Sequence, residues 1–255
     1  MRTAFVCQTW DLMKPTEEFV DWVITAGQHQ AGLLKALTLQ LDHNRLVDLL
    51  GNGAVRVVSS RNGPFSVVSA INDNNNPSPI SGCFELHTDG LYCSQIPDLV
   101  IMYCTNPGEK SIPTVVSDTR IVVDKLRSKG LLDTFRGFAM AYQFGDGCSI
   151  TWPIIASHPL TAEPVIHMGT HGVLQPLEGS SGKLSDLPFR EVVNFAGDVF
   201  QWIEEAVVYE HDWSKNDLLI IDNHTFLHGR RKSAVDLNRS LIRIWLAAES
   251  SPNQS

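Results

Sequence analysis

The sequence contains no uninterrupted apolar stretch of the roughly 18 residues that a membrane-spanning helix requires. Its N-terminal segment, MRTAFVCQTWDLMKPTEE, has no long apolar stretch behind Arg2, so it does not resemble a secretory signal peptide. Basic residues are in the minority, with 20 Lys and Arg against 28 Asp and Glu and a net charge of −8. Because phosphate binding needs a basic surface, we do not expect a nucleic acid as a partner. Without an apolar stretch of spanning length, we do not expect a membrane either.

Cysteine is also scarce, and its five positions include no CxxC pair. An odd number of cysteines without paired spacing does not indicate a disulfide framework. The simple interpretation is a set of reduced thiols in a cytoplasmic protein. The length of 255 residues fits one large domain or two small ones, and without an obvious internal linker we expect a single domain over residues 1–255.

Helical periodicity is confined to three segments of the chain. Residues 16–50 carry apolar side chains at helical spacing, with Thr16 as a possible cap and Gly51 as a stop. The segments 119–136 and 187–207 have the same spacing and also predict helices. Helices are therefore few for a chain of this length.

Most of the remaining sequence consists of short β-rich runs broken by Gly and Pro. Residues 54–60 and 64–71, joined by Arg-Asn-Gly, predict a hairpin. Many short strands with few helices predict a mainly β protein with flanking helices (α+β), built on a double-stranded β-helix (jelly-roll) core over about 54–248. The polar, Pro-rich stretch 72–82 predicts a loop, which is either part of a lid or a surface excursion.

His87-Thr88-Asp89 is the first candidate metal-binding segment. In a strand, residues i and i+2 point to the same face, so His87 and Asp89 would converge. An imidazole and a carboxylate supply two of the three ligands of a two-histidine, one-carboxylate iron site, which keeps positions open for co-substrate and oxygen. Alone, the tripeptide is a weak signal, because H-x-D occurs often by chance.

A third ligand is expected in NDLLIIDNHTFLHGRR, where His224 and His228 compete. We favour His228 because of the two arginines that follow it, Arg239 eleven positions on and Arg243 fifteen positions on. Four residues apart in a strand, the two arginines share one face of an otherwise apolar segment. Inward arginines are costly unless they meet anions, and salt bridges to Asp or Glu are the alternative to a ligand.

In combination, FELHTDGLY with PDLVIMYC, HPLTAEPV and DLLIIDNHTFLHGR resemble the taurine dioxygenase and clavaminate synthase superfamily of Fe(II)/2-oxoglutarate oxygenases. The resemblance covers the chain from about Ser81 to Trp245. It implies that His87, Asp89 and His228 bind Fe(II).

The resemblance also implies a site for the co-substrate 2-oxoglutarate. Arg239 matches the arginine that binds the distal carboxylate, a role that suits the two parallel hydrogen bonds of a guanidinium. Thr114 matches a threonine whose hydroxyl supports the same carboxylate. Arg243 matches a second arginine near the other end of the co-substrate, or near an acidic group of the substrate. One departure is Asn216, where the family often has Gly; Asn tolerates a left-handed backbone better than most residues.

The implied activity consumes 2-oxoglutarate and O2, releases succinate and CO2, and hydroxylates an aliphatic carbon. Asp89 disfavours halogenation, since related halogenases have a small residue there, whereas desaturation, epimerisation and cyclisation use the same ligands. The expected substrate is a small polar molecule, such as an amino acid or a secondary-metabolite intermediate. His158, His167 and His171 are expected to have core or surface roles.

Two other classes of protein compete with this interpretation. A zinc hydrolase also binds its metal through two histidines and a carboxylate, but it has no need for the pair Arg239 and Arg243. A non-catalytic jelly-roll binding protein has no need for an open iron site. Metal-dependent conversion of 2-oxoglutarate to succinate under air separates these classes.

Overall fold

The computed structural model describes residues 34–38, 46, 55–57, 65–69, 84–109, 113–143, 149–169, 172–177, 189–230 and 238–248. The helices in these ranges are α1 (Thr119–Ser128), α2 (Leu132–Arg136) and α3 (Phe189–Glu205). The strands are β1 (Leu34–Thr38), β2 (Val55–Val57), β3 (Phe65–Ser69), β4 (Phe84–His87), β5 (Leu99–Asn106), β6 (Thr114–Asp118), β7 (Phe138–Gln143), β8 (Ser149–Pro153), β9 (Ile155–Ser157), β10 (Pro164–Ile166), β11 (Val173–Pro176), β12 (Val207–His211), β13 (Asp217–Asp222), β14 (Phe226–Arg230) and β15 (Ser240–Ala248).

Two antiparallel sheets form the centre of the fold. The larger sheet has the order β1-β13-β5-β15-β2, with β3 also paired to β15, and the smaller sheet has the order β12-β6-β14-β4. Their facing side chains, among them Met102, Leu219, Phe226 and Trp245, pack into one buried apolar cluster. This arrangement confirms the mainly β fold with flanking helices and a jelly-roll core.

The opposite face of the smaller sheet packs against the helices. Val115 of β6 and Leu227 of β14 belong to a second buried cluster, together with Leu126 of α1 and Ile203 of α3. Asp118 ends β6 and caps α1 with its side chain. Strands β6 and β14 of the smaller sheet are therefore buried on both faces, which makes them rigid supports for the side chains that point towards the larger sheet.

The helix expected over 119–136 is divided into α1 and α2 at Gly130. Gly130 has a φ of +70°, a left-handed conformation that favours glycine. The backbone N–H groups of Gly130 and Leu131 donate back to the carbonyls of Arg127 and Leu126 at 3.0 and 2.9 Å. This is the Schellman pattern that ends a helix. The helix expected over 187–207 is confirmed as α3.

The helix expected over 16–50 is wrong at Leu34–Thr38, which form strand β1 and pair antiparallel with β13. Apolar residues at helical spacing also fit a strand, and the edge of β13 supplies the hydrogen bonds that decide between the two. Leu46 is helical and buried. The rest of that segment and the loop 72–82 lie outside the described residues. No helix in the described ranges is long and apolar enough to cross a membrane.

The strands expected over 54–60 and 64–71 exist as β2 and β3, but the hairpin is wrong. Both strands pair antiparallel with β15 rather than with each other, β3 opposite Ser240–Ile244 and β2 opposite Leu246–Ala248. The nine-residue strand β15 is long enough to pair with β3 along its first half and with β2 along its last three residues. This long-range pairing takes precedence over the local turn signal.

The His-Pro segment connects β9 to β10 and supports the turn between β13 and β14. The N–H of Leu160 donates to Nδ1 of His158 at 3.1 Å, so the proton of the neutral ring lies on Nε2. That Nε2 donates to Oδ2 of Asp222 at 3.1 Å. The same oxygen accepts the hydroxyl of Thr225 at 2.6 Å. His158 thus has a core role, as expected, and it shapes the turn that leads into β14.

His167 is buried in the same region and also has a core role. Its Nε2 lies 3.2 Å from Nδ1 of His224, and the ring of His224 lies 5.6 Å from that of His158. Burial, followed by the neighbouring His224, lowers the pKa of His167 from 6.5 to about 3. The ring therefore stays neutral in the folded protein over the physiological pH range. His171 lies outside the described residues.

This buried ring makes stability depend on pH. Below the ordinary pKa of 6.5 and down to about 3, the unfolded chain binds a proton at His167 that the folded chain does not. The free energy of unfolding therefore falls as the pH is lowered through this window, and the loss at pH 5 is about 2 kcal/mol. We expect His167→Gln to remove this contribution. Urea unfolding of both proteins at pH 8 and pH 5 measures it, and an equal loss in the two would contradict the prediction.

Candidate metal centre

Two neighbouring strands of the smaller sheet carry the two histidines. His87 is the last residue of β4 and lies directly opposite His228 of β14, with ring centroids 4.7 Å apart. His228 follows Phe226 by two positions, so it shares the face that packs towards the larger sheet. Both imidazoles are buried. The strand pairing therefore brings them together inside the core.

Asp89 joins the histidines from a turn and not from the strand, because β4 ends at His87. Gly90 follows with a φ of +79°, and a Cβ there would lie 2.4 Å from Cδ of Pro97, so the turn requires glycine. The turn brings the carboxylate back, with Oδ1 at 3.4 Å from Nε2 of His87 and Oδ2 at 3.4 Å from Nε2 of His228. The expected convergence is present, but strand alternation does not produce it.

These three side chains have the geometry of a metal site. One potential ligand atom from each lies within 4.8 Å of the other two. Two imidazoles and a carboxylate form a donor set that suits iron or zinc. The competing His224 points elsewhere, with Nε2 at 2.9 Å from Oδ1 of Asp98 and Nδ1 at 3.2 Å from Nε2 of His167. The structure therefore leaves His224 out of the group.

Two further side chains donate to the carboxylate of Asp89. Arg243 donates from Nη1 to Oδ1 at 2.6 Å, and Trp245 donates from Nε1 to Oδ2 at 3.0 Å. The guanidinium also lies 4.9 Å from the ring centroid of Trp245. Burial acts to raise the pKa of Asp89, but the charges of Arg243 and His228 hold it well below its usual value. The carboxylate is therefore an anion at neutral pH.

Asn223 fixes the main chain of Asp89. Its Oδ1 accepts the N–H of Asp89 at 2.9 Å, and its Nδ2 donates to the carbonyls of Asp89 at 3.0 Å and Pro97 at 2.9 Å. The side chain is fully buried, and these three bonds use most of the capacity of its amide. Asn223 thus ties the turn after β13 to the turn after β4.

Arg239 and Thr114 lie together on the same inner face. Nη2 of Arg239 donates to Oγ1 of Thr114 at 3.2 Å, and Nε1 of Trp213 donates to the same oxygen at 2.9 Å. All three side chains are buried. Thr114 precedes Val116 by two residues, and Val116 lies opposite His228. The arginine end and the histidine end are therefore about 7 Å apart along β6.

The site residues predicted from the sequence form two groups on the same inner face, one around Asp89 and one around Arg239. The contacts of Trp245 and Asn223 are not predicted from the sequence. Trp245 had a signal, since it follows Arg243 by two positions in β15 and must share its face. Asn223 had none, because its contacts depend on how two turns meet. Arg243, expected near a co-substrate or substrate, contacts Asp89. Asn216 has a φ of +70°, as expected from the tolerance of Asn for this conformation.

Comparison with known proteins gives relatives of low sequence identity. Tyrosine isonitrile desaturase from Pseudomonas aeruginosa is 24% identical over 176 residues, which are 64% of this chain and 59% of that protein. The 3-((Z)-2-isocyanoethenyl)-1H-indole synthase from Fischerella ambigua is 24% identical over 179 residues, 64% of this chain and 63% of that protein. The matches thus span only about three fifths of the length of these relatives.

Solved structures share the fold over most of the chain. PvcB from Pseudomonas aeruginosa has a TM-score of 0.67 at 20% identity, covering 89% of this chain and 79% of that one. A taurine dioxygenase from Burkholderia xenovorans has a TM-score of 0.67 at 17% identity, covering 96% and 87%. AAD-2, in complex with Mn(II) and N-oxalylglycine, has a TM-score of 0.69 at 14% identity, covering 97% and 94%.

The family model described as "Taurine catabolism dioxygenase TauD, TfdA family" matches residues 7–245. This range is nearly the whole chain, and it contains both groups of inward residues described above. The family membership that the sequence motifs indicate is confirmed. This chain belongs to the TauD/TfdA dioxygenase family.

Proposed function

We propose that this chain is an Fe(II)/2-oxoglutarate-dependent oxygenase in which His87, Asp89 and His228 hold the iron. The observation that carries the proposal is the buried group of two imidazoles and one carboxylate, with ligand atoms within 4.8 Å of one another. Three protein ligands leave coordination positions for a co-substrate and oxygen. The donor set fits the metal, because Asp89 is ionised and the histidines face it from a rigid sheet.

The proposed site for the distal carboxylate of 2-oxoglutarate consists of Arg239 and Thr114. The hydroxyl oxygen of Thr114 accepts hydrogen bonds from Arg239 and from Trp213, so both of its lone pairs are used and its O–H is left to donate. A hydroxyl donor beside a guanidinium suits a carboxylate. With the two ends about 7 Å apart along β6, a short dicarboxylate reaches from Arg239 to the metal.

Iron, 2-oxoglutarate and O2 together supply an oxidant for an aliphatic C–H bond, with release of succinate and CO2. The residues of the chain bind, orient and shield the reactants. Arg243 lies on the solvent side of the site beside Tyr92, whose side chain is 41% exposed. From there Arg243 can reach the 1-carboxylate of the co-substrate or an acidic group of the substrate, and both roles are kept as predictions.

For the reaction itself, we favour desaturation of an isonitrile derived from an aromatic amino acid. The support comes from the two relatives, whose names describe a tyrosine isonitrile desaturase and an isocyanoethenyl indole synthase. Hydroxylation of a small polar substrate, which the sequence led us to expect, is the second candidate. The ligand set serves both reactions, so the substrate and the product distinguish them.

The metal assignment predicts a clear difference between two neighbouring histidines. His87→Ala, Asp89→Ala and His228→Ala should each lose Fe(II) binding and the metal-dependent conversion of 2-oxoglutarate to succinate, because a three-ligand site loses a ligand. His224→Ala is the matched control and should retain both, since His224 contacts Asp98 instead. Iron stoichiometry and succinate formation measure the effect.

Three outcomes would contradict that assignment. Loss of iron in His224→Ala with normal binding in His228→Ala would show that the third ligand is wrong. Zinc-dependent hydrolysis without any succinate would favour a zinc hydrolase, and the absence of both metal binding and turnover would favour a binding protein.

The co-substrate assignment predicts unequal effects at Arg239 and Thr114. Arg239→Ala should weaken 2-oxoglutarate binding strongly, because loss of one partner of a buried charge pair typically costs ~2–5 kcal/mol. Thr114→Val should cost about 1 kcal/mol, since it removes one hydroxyl and keeps the charge. Titration of each metal-loaded variant with 2-oxoglutarate measures both. Wild-type binding in Arg239→Ala would place the co-substrate elsewhere.

The proposed reaction predicts the mass of the product. Incubation with isonitrile derivatives of tyrosine and tryptophan should give products that lack two hydrogen atoms, or two hydrogen atoms and CO2 where the carboxyl group leaves as the double bond forms. Hydroxylation would instead add one oxygen atom. The parent amino acids serve as controls and should not be consumed. If 2-oxoglutarate decays but no isonitrile is consumed, the substrate class is wrong and the oxygenase assignment remains.

A further inference from the structure

Trp245 reaches the Asp89 carboxylate from within the core. Its side chain is 3% exposed and packs between the two sheets with Met102, Leu219 and Phe226. A packed indole has only two side-chain torsions, and neighbouring atoms fix both. The direction of its N–H group is therefore set by the fold. That group donates to Oδ2 of Asp89 at 3.0 Å.

The two donors on this carboxylate differ in character. Arg243, on Oδ1, is charged and sits on a long side chain that is 16% exposed. Trp245, on Oδ2, is neutral, planar and enclosed. Because a neutral donor adds no charge beside an incoming cation, Trp245 can keep its bond when a metal binds, whereas the charge of Arg243 opposes that of the metal.

The remaining freedom of Asp89 lies in its side chain. Asn223 fixes its backbone N–H and carbonyl through hydrogen bonds of 2.9 and 3.0 Å. The terminal torsion of an Asp side chain is soft, with broad minima, so a carboxylate without directional partners can offer either oxygen or both. A bond from a fixed indole to Oδ2 restricts that rotation.

We propose that Trp245 is a positioning residue whose indole N–H fixes the rotation of the Asp89 carboxylate, so that a single oxygen is presented to the metal. The inference rests on the proposed function, because it takes Asp89 as a metal ligand. Trp245 acts through Asp89 and does so before co-substrate or substrate is bound. Its effect therefore belongs to the binding of the metal alone.

The test compares two Trp→Phe changes by titration with Co(II) alone, without 2-oxoglutarate and under anaerobic conditions. Trp245→Phe keeps an aromatic ring and removes the donor, and we expect Co(II) affinity to fall ~10–100-fold, as is typical when an outer partner of a metal ligand is lost. The visible spectrum of bound Co(II) should also change, because the carboxylate can then bind through both oxygens.

Trp152→Phe is the matched control. Trp152 packs at the edge of the other buried cluster, and its indole N–H has no hydrogen-bond partner among the residues that the structure describes. The same substitution at this position removes an N–H group that makes no hydrogen bond to the described residues. We expect wild-type Co(II) affinity and an unchanged Co(II) spectrum in this variant.

A second form of the protein separates the lost donor from lost packing. Benzothienylalanine at position 245 keeps the bicyclic shape and replaces the N–H by sulfur, and it should reproduce the weaker binding and the altered spectrum. Equal affinity and equal spectra in wild type, Trp245→Phe and the analogue would overturn the inference and leave the iron site standing. If the wild-type protein itself does not bind Co(II), the proposed iron site and the inference fall together.

Discussion

The buried negative charge of Asp89 is the constraint on which the candidate site depends. An ionised carboxylate that is 2% exposed is stable only if it is paired and hydrogen-bonded. Arg243 and Trp245 donate to its two oxygens, and each oxygen faces one histidine at 3.4 Å. The loss of any one partner leaves the anion undercompensated, so changes at these positions should be coupled and not additive.

In this fold, strands position the two histidines, and turns position the Asp89 carboxylate. In the smaller sheet, the pairing of β4 with β14 sets the distance between His87 and His228. The turns carry Asp89 and Asn223, and the hydrogen bonds between them lock one turn against the other. Strand β15 then carries Arg243, and Arg239 directly precedes the strand and is buried against Thr114. A rigid sheet with cross-linked turns gives the orientation that a metal site requires.

The sequence predicts the side chains that strands position better than the side chains that turns position. The inward face of β15 was predictable because alternation is local, and the choice of His228 over His224 agrees with the geometry. Asp89 lies beside the histidines as expected, but a turn positions it and strand alternation does not. The helix expected at Leu34–Thr38 failed because pairing with β13 outweighs a local pattern that fits both structures. The break at Gly130 could have been predicted, because a glycine after Lys129 is a helix-ending signal.

The reaction outcome lies beyond local patterns for a related physical reason. In the proposed oxygenase, the same three ligands serve hydroxylation and desaturation, so the outcome depends on which C–H bond the protein presents. The residues at the solvent side of the site, Tyr92 and Arg243, approach from different elements, the turn after β4 and strand β15. Their spacing is set by tertiary packing around Trp245 and not by any repeat in the sequence. In the proposed oxygenase, the part of the site that faces the substrate is therefore the part that the sequence pattern specifies least.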